Sequence, residues 1–224
     1  LEKIDHKGCD SIRIPKHIGI IPDGNRRWAV NKGYEKQDGY HFGLEPGLIL
    51  LKLAKSYGID EVTYYGYTMD NCKRPKKQIE SFMKACVDAI HLIQKENVSL
   101  LVVGNSDSKV FPEELKEFTK RTDFNGGGTK VNFLVNYGWE WDLNCDTNFQ
   151  TTKKSIFERI HSKDISRMDL ILRWGGMRRL SGFLPVQSVY SNFYIIDTMW
   201  PDFKEEDFYD AMKWYEIQDN TLGG

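Results

Sequence analysis

The chain has 224 residues and balances 31 Lys plus Arg against 32 Asp plus Glu, for a net charge of −1. That length suits one domain, the 40% hydrophobic content supplies a core, and a balanced charge offers no global field for nucleic acid. The four cysteines form no CxxC pair, so zinc and disulfide frameworks are not expected, and no apolar run approaches the ~18 residues of a membrane span.

The opening stretch, "LEKIDHKGCDSIRIPK", is polar and lacks the apolar core of a signal peptide. The expectation is a soluble cytoplasmic protein with reduced thiols. "HIGIIP" then reads as a strand, stopped at Pro22 and followed at once by Asp23, Gly24, Asn25, Arg26 and Arg27. "PGLILLKLAKSYG" reads as a helix with Pro46 at its start and Gly58 at its end. "EVTYYGYT" is a second strand, ending at Thr68 and running into "MDNCKRPKK". The stretch "KKQIESFMKACVDAIHLIQKEN" gathers Ile79, Phe82, Met83, Cys86, Ile90 and Ile93 on one helical face. "SLLVVG" is a third strand with a polar turn, "GNSDSKV", behind it. "PEELKEFTKRT" carries Pro112 and acids where a helix begins. "FNGGGTK" is a loop and "KVNFLVNYG" a fourth strand.

From Asn144 to Arg167 the sequence is polar and weakly patterned, and reads as an excursion from the fold. "MDLILRW" and "NFYIIDTMWP" are the fifth and sixth strands, and "EEDFYDAMKWYEIQ" closes the chain as a helix. Several strands are continuous apolar runs, the signature of strands covered on both faces. Strands alternating with helices predict an α/β fold: a six-stranded, mostly parallel sheet flanked by helices, in one domain spanning 1–224.

Ligands of open α/β sheets bind beyond the carboxyl ends of the strands. Three such ends carry chemistry: Asp23 to Arg27, then Asp70, Asn71 and Arg74, then Arg173, Gly175, Gly176, Arg178, Arg179 and Ser181. Arginines bind phosphate bidentately, and glycines let the backbone approach it, so a polyanion is expected there. An acid in this company either neutralises an arginine or holds Mg²⁺, which takes one or two carboxylates and fills its octahedron with phosphate oxygens and water. Asp23 is the candidate metal ligand. GxxxxGK[ST], GxGxxG after the first strand and HExxH are all absent. Most tryptophans read as core. Trp174, between an arginine and a Gly-Gly turn, is expected at the ligand edge.

Five motifs in order, "HIGIIPDGNRRWA", "NCKRP", "NYGWEWDL", "DLILRWGGMRRLSGF" and "IIDTMWPDF", resemble the cis-prenyltransferases, the undecaprenyl and dehydrodolichyl diphosphate synthases. The resemblance implies a dimeric six-stranded α/β fold with an apolar tunnel, lined here by the helix from Gln78 to Gln94. It makes Asp23 the Mg²⁺-assisting carboxylate and Asn71 similar to the family's catalytic asparagine. Gly24, Asn25, Arg26, Arg27 and Arg74 become the donor diphosphate cradle; Arg173, Arg179 and Ser181 become the acceptor site. Trp28, Lys36, Tyr40, Thr68 and Asp70, within or beside these motifs, complete the candidate substrate-binding set.

The departures from that pattern cluster. Elongating members usually carry Arg where Lys36 stands, His where Tyr40 stands, and Glu-Asn-Trp where Asp70, Asn71 and Cys72 stand. Trp174, Met177 and Gly182 are unusual, and Asn192 stands where a Glu joins the acceptor-side Mg²⁺ site. Thr221 replaces the tail arginine that reaches a partner's active site. The resemblance therefore implies isoprenyl diphosphate substrates, Mg²⁺ and a homodimer, with a reshaped acceptor side. The first reading is irregular, lavandulyl-type head-to-middle coupling of dimethylallyl diphosphate, with or without cyclisation. The alternatives are ordinary short-chain cis elongation with isopentenyl diphosphate and a non-catalytic partner subunit.

Overall fold

β-branched, leucine and aromatic residues dominate the central strands, with a few buried polar residues such as Thr63 and Asn132 among them. A computed structural model describes residues 13–144 and 155–219. In chain order these form β1 (His17–Ile21), α1 (Asn25–Asn31), α2 (Gly39–Phe42), α3 (Leu44–Tyr57), β2 (Glu61–Thr68) and α4 (Lys76–Ile93). There follow β3 (Val98–Val103), β4 (Thr122–Phe124), β5 (Thr129–Tyr137), α5 (Trp139–Leu143), α6 (Ile156–Arg159), β6 (Leu170–Arg173), β7 (Asn192–Ile195) and α7 (Glu205–Glu216). The sheet order is β4-β3-β5-β2-β1-β6-β7, parallel throughout except for β4.

The six expected strands are all present, and β4 is a seventh. The expected helix from Pro112 is instead a 3₁₀ segment, Glu113–Thr119, with the antiparallel β4 after it. Its buried residues, Leu115 and Phe118, are three apart, which suits a three-residue turn. The Arg121 guanidinium then donates to Ser99 O at 2.8 Å and Asn132 Oδ1 at 2.6 Å, drawing β4 onto the edge of β3. Within the excursion, residues 155–167 hold α6 and turns. Cys9, Cys145 and Thr221 to Gly224 lie outside the described residues.

Strand alternation sorts side chains between two cores. Ile18 and Ile20 of β1 face α3, α4 and α7 in the larger core, while Ile21 faces Phe183 and Met168 in the smaller. The same alternation corrects one expectation, and the register of β7 on β6 corrects another. Trp174 follows Leu170 and Leu172 at spacing two, so it enters the larger core rather than the ligand edge. It is fully buried, edge-on to Trp200 at 4.8 Å, with Nε1 donating to Asp207. Asn192 pairs with Leu170 at the amino end of β7, three residues before the level of Arg173. At roughly 3.3 Å per residue, that places it ~10 Å below the carboxyl edge of the same chain.

Trp174 therefore acts on stability. Trp174→Ala should cost roughly 3–5 kcal/mol in denaturant unfolding, the range for an emptied aromatic core site. Trp174→Phe should keep near-normal substrate KM, which a residue touching substrate would not.

Candidate active site

The chain runs β1, β2, β5 to one side of the sheet and then returns to place β6 and β7 on the other side of β1. The crevice between the ends of β1 and β6 is therefore a topological switch point, where open α/β sheets take ligands. A groove of about 840 Å³ opens there.

Asp23 stands at its centre. Its Oδ2 accepts from Arg173 Nη2 at 2.7 Å, its Oδ1 accepts from the Gly24 N–H at 2.6 Å, and Arg27 approaches Oδ1 at 3.5 Å. Arg173 is 3% exposed while the Asp23 carboxylate keeps 31%, so the acid faces the groove from a fixed guanidinium behind it. Arg173 Nη1 donates onward to Ser181 Oγ at 3.0 Å and to Arg179 O. Arg27 Nη2 donates to Gly175 O at 2.9 Å. A Cβ at Gly175 would come within 2.6 Å of that same Nη2, and its φ of +80° favours glycine, so the close packing of the two strand ends requires Gly there.

The second wall comes from the end of β2. A 3₁₀ segment, Met69–Lys73, presents Asn71, whose Oδ1 accepts from the Thr68 N–H at 3.1 Å. Arg74 Nη1 donates to Tyr40 OH at 2.9 Å. Burial lowers the proton affinity of Arg74, and the neighbouring Arg26 adds to that; burial raises the Tyr40 phenol. Asp70 pairs with Lys73 at 2.7 Å in solvent. Among the described residues no ion pair engages Arg26, Lys36, Arg74 or Arg179, so the groove carries surplus positive charge.

Of the sequence-predicted residues, Asp23, Gly24, Asn25, Arg26, Arg27, Lys36, Tyr40, Thr68, Asp70, Asn71, Arg74, Arg173, Arg179 and Ser181 line this groove, as does Met177. Trp28, Trp174 and Asn192 do not. Trp28 is buried under α1, with Nε1 donating to Asp202 Oδ1 at 2.7 Å and the ring 4.7 Å from Phe42. Tyr65 and Met199 line the groove without a signal in the sequence motifs, and Phe82, expected on the apolar face of α4, reaches the groove as well. Tyr65 donates its hydroxyl to Ser181 O at 2.8 Å.

Beside the groove lies a second, apolar cavity of about 80 Å³ between α3, α4 and the sheet. Phe82, Ala85, Cys86 and Ala89 of α4 form one wall; Phe82, Cys86 and Ile93 of the expected apolar face line the cavity, whereas Ile79, Met83 and Ile90 do not. Tyr64 braces the opposite side, donating to Gly47 O at 2.8 Å and stacking 5.9 Å from Phe133. A cation-lined groove joined to a small apolar cavity suits a ligand with a polyanionic head and a hydrocarbon tail.

Known proteins share this plan. Residues 21–223 match the family model described as "Putative undecaprenyl diphosphate synthase". The chain belongs to the cis-prenyltransferase family. This prenyltransferase is 30% identical over 234 residues to the ditrans,polycis-undecaprenyl-diphosphate synthase ((2E,6E)-farnesyl-diphosphate specific) of Yersinia pseudotuberculosis, covering 96% of this chain and 92% of that protein. It is 32% identical to the isoprenyl transferase of Thermotoga maritima, over 95% and 98% of the two chains. The crystal structure of lavandulyl diphosphate synthase from Lavandula x intermedia, in complex with dimethylallyl diphosphate, superposes with a TM-score of 0.81. Identity there is 21%, with 94% of this chain and 98% of that one covered, a likeness of fold.

Asp23→Asn keeps an acceptor for Arg173 and removes the charge. Prenyl transfer should fall by about 10² or more, the scale of losing a main electrostatic contributor. Circular dichroism should show native secondary structure with a lowered unfolding midpoint, because the neutral amide leaves the buried Arg173 charge uncompensated.

Proposed function

We propose that this prenyltransferase makes a short product, joining two dimethylallyl diphosphates by irregular head-to-middle coupling. The size of the apolar cavity carries the short-chain part. Its 80 Å³ is roughly half of the ~150 Å³ apolar cavity that takes up benzene, so it must widen to admit even one five-carbon tail and leaves no room for a long chain. Met177 supports the irregular part: a thioether stands in the groove wall beside Arg179, 3.8 Å from its Nη1, where elongating relatives are expected to carry an acid. A neutral wall there changes how the acceptor's five-carbon group is posed against the donor, and attack through its internal carbon requires a changed pose.

The donor's diphosphate lies along Arg26, Arg27 and Arg74, with its tail in the apolar cavity. The acceptor's diphosphate lies on Arg179 and Ser181, with Arg173 behind them. The donor C1–O bond breaks and its electron pair leaves on the diphosphate. The internal double-bond carbon of the acceptor bonds to C1, leaving a tertiary cation. A methyl proton of that cation then passes to a diphosphate oxygen. The phenol of Tyr40 stays protonated, because burial raises its pKa, and so serves as no base. The product is a branched ten-carbon diphosphate, open or cyclised.

The donor set fits Mg²⁺. Among the described residues no cluster of three His, Cys, Asp or Glu forms a closed metal cage. One half-exposed carboxylate, Asp23, faces a groove built for phosphates, and Mg²⁺ is commonly held by one or two carboxylates plus substrate oxygens. Bound there, Mg²⁺ would neutralise the departing diphosphate. Asp23 would hold it and Arg173 would keep Asp23 oriented.

The undecaprenyl names of the curated relatives favour a second reading, ordinary cis elongation with isopentenyl diphosphate. Mg²⁺ and dimethylallyl diphosphate alone should give a branched or cyclic ten-carbon diphosphate. A linear product formed only when isopentenyl diphosphate is added would establish the second reading instead. Tyr64→Ala, which opens the cavity wall, should lengthen products under elongating conditions. We further propose a homodimer, to be read as a mass near twice 26.1 kDa in sedimentation at micromolar concentration.

A further inference from the structure

The groove and the apolar cavity share part of their walls, including Tyr40 and Phe82. These two rings stack face to face, with centroids 4.3 Å apart and planes within 7°. They stand between the two compartments. Phe82 is held from behind by Tyr67, edge-on at 5.3 Å. Arg74 braces both rings, donating to the Tyr40 hydroxyl at 2.9 Å and lying 5.7 Å from the Phe82 centroid.

Arg74 also lines the groove and has no carboxylate partner among the described residues. Among the described residues its neighbour Arg26 has no carboxylate partner either, and donates to Gln78 Oε1 at 3.4 Å. A diphosphate entering between these guanidinium groups offers charged oxygens, and charge-assisted hydrogen bonds are roughly twice as strong as neutral ones. The phenol of Tyr40 is the weaker of the two partners available to Arg74.

We propose that Arg74 is a latch on the Tyr40–Phe82 stack, and that a diphosphate head unlocks the apolar cavity by drawing the guanidinium off Tyr40. The inference rests on the two-compartment reading of a prenyl diphosphate, and is independent of which coupling follows. It assigns Tyr40 and Phe82 to specificity. A five-carbon alcohol, which has the tail without the head, finds the stack braced. A diphosphate releases the brace as it binds. Head and tail sites are then coupled, and the coupling is reciprocal.

The test measures the binding of dimethylallyl alcohol to the intact protein, by calorimetry or saturation-transfer NMR, with and without inorganic diphosphate. In the unmodified enzyme, saturating diphosphate should tighten alcohol binding about fivefold or more, the lower end of ordinary coupling energies. The alcohol should tighten diphosphate by the same factor. Tyr40→Phe keeps the stack and removes the hydroxyl that Arg74 holds; alcohol should bind it equally with or without diphosphate. Phe82→Leu, which removes the stack, should likewise uncouple the sites. Independent binding of the two ligands in the unmodified enzyme would overturn the latch while leaving the site reading intact, and so would Tyr40→Phe retaining the full coupling. Failure of inorganic diphosphate to bind at all would overturn both.

Discussion

The contact on which the site depends is the one between Asp23 and Arg173. It ties the end of β1 to the end of β6 at the point where the sheet changes direction. A guanidinium as buried as that of Arg173 needs a partner, because an uncompensated charge in the interior is strongly destabilising. Asp23 supplies it with one oxygen while the carboxylate keeps a face toward the groove. The same arginine reaches Ser181 and the Arg179 carbonyl, so a single buried cation sets the relative positions of the central acid and the loop after β6. Arg27, bound to the Gly175 carbonyl, closes the arrangement from the other side.

The two ends of the sheet treat polar groups differently. At the amino ends, buried Glu61 accepts from Asn132 at 2.6 Å and Ser166 at 2.7 Å, and His17 meets Thr63 at 2.7 Å. Burial holds His17 below its ordinary pKa, so it sits neutral within a network that satisfies itself. At the carboxyl ends the surplus is all cationic and lacks internal acids to absorb it. That asymmetry separates a structural polar seam from a site awaiting an anion.

Much of this was legible in the chain. Continuous apolar runs gave six of the seven strands, and glycines and arginines after three of them located the groove. β4 escaped because three residues held by Arg121 and a glycine turn leave no period to read. Trp174 carries its own signal: Leu170, Leu172 and Trp174 alternate onto one face, and that alternation outweighs its place beside the Gly-Gly turn. Asn192 needed the register of β7 on β6, which no single strand encodes. Phe82 read correctly as part of an apolar helix face, but its second exposure, to the groove, depends on Tyr40 arriving from α2. Such contacts between distant elements are a property of the packing.

The edge formed by β4 bears on handling the molecule. The turn at Gly126 lies between β4 and β5, at the amino end of the parallel strands; space around Gly126 is open, but its φ of +90° requires glycine, so an attachment there is an insertion beside it rather than a replacement. The catalytic groove opens at the opposite end of the same strands. A label or surface tether attached through that turn would leave the mouth of the groove facing away from the support, and exposed loop tips are where insertions are best tolerated. The short glycine-rich connection that finishes one edge of the sheet is thus also its natural handle.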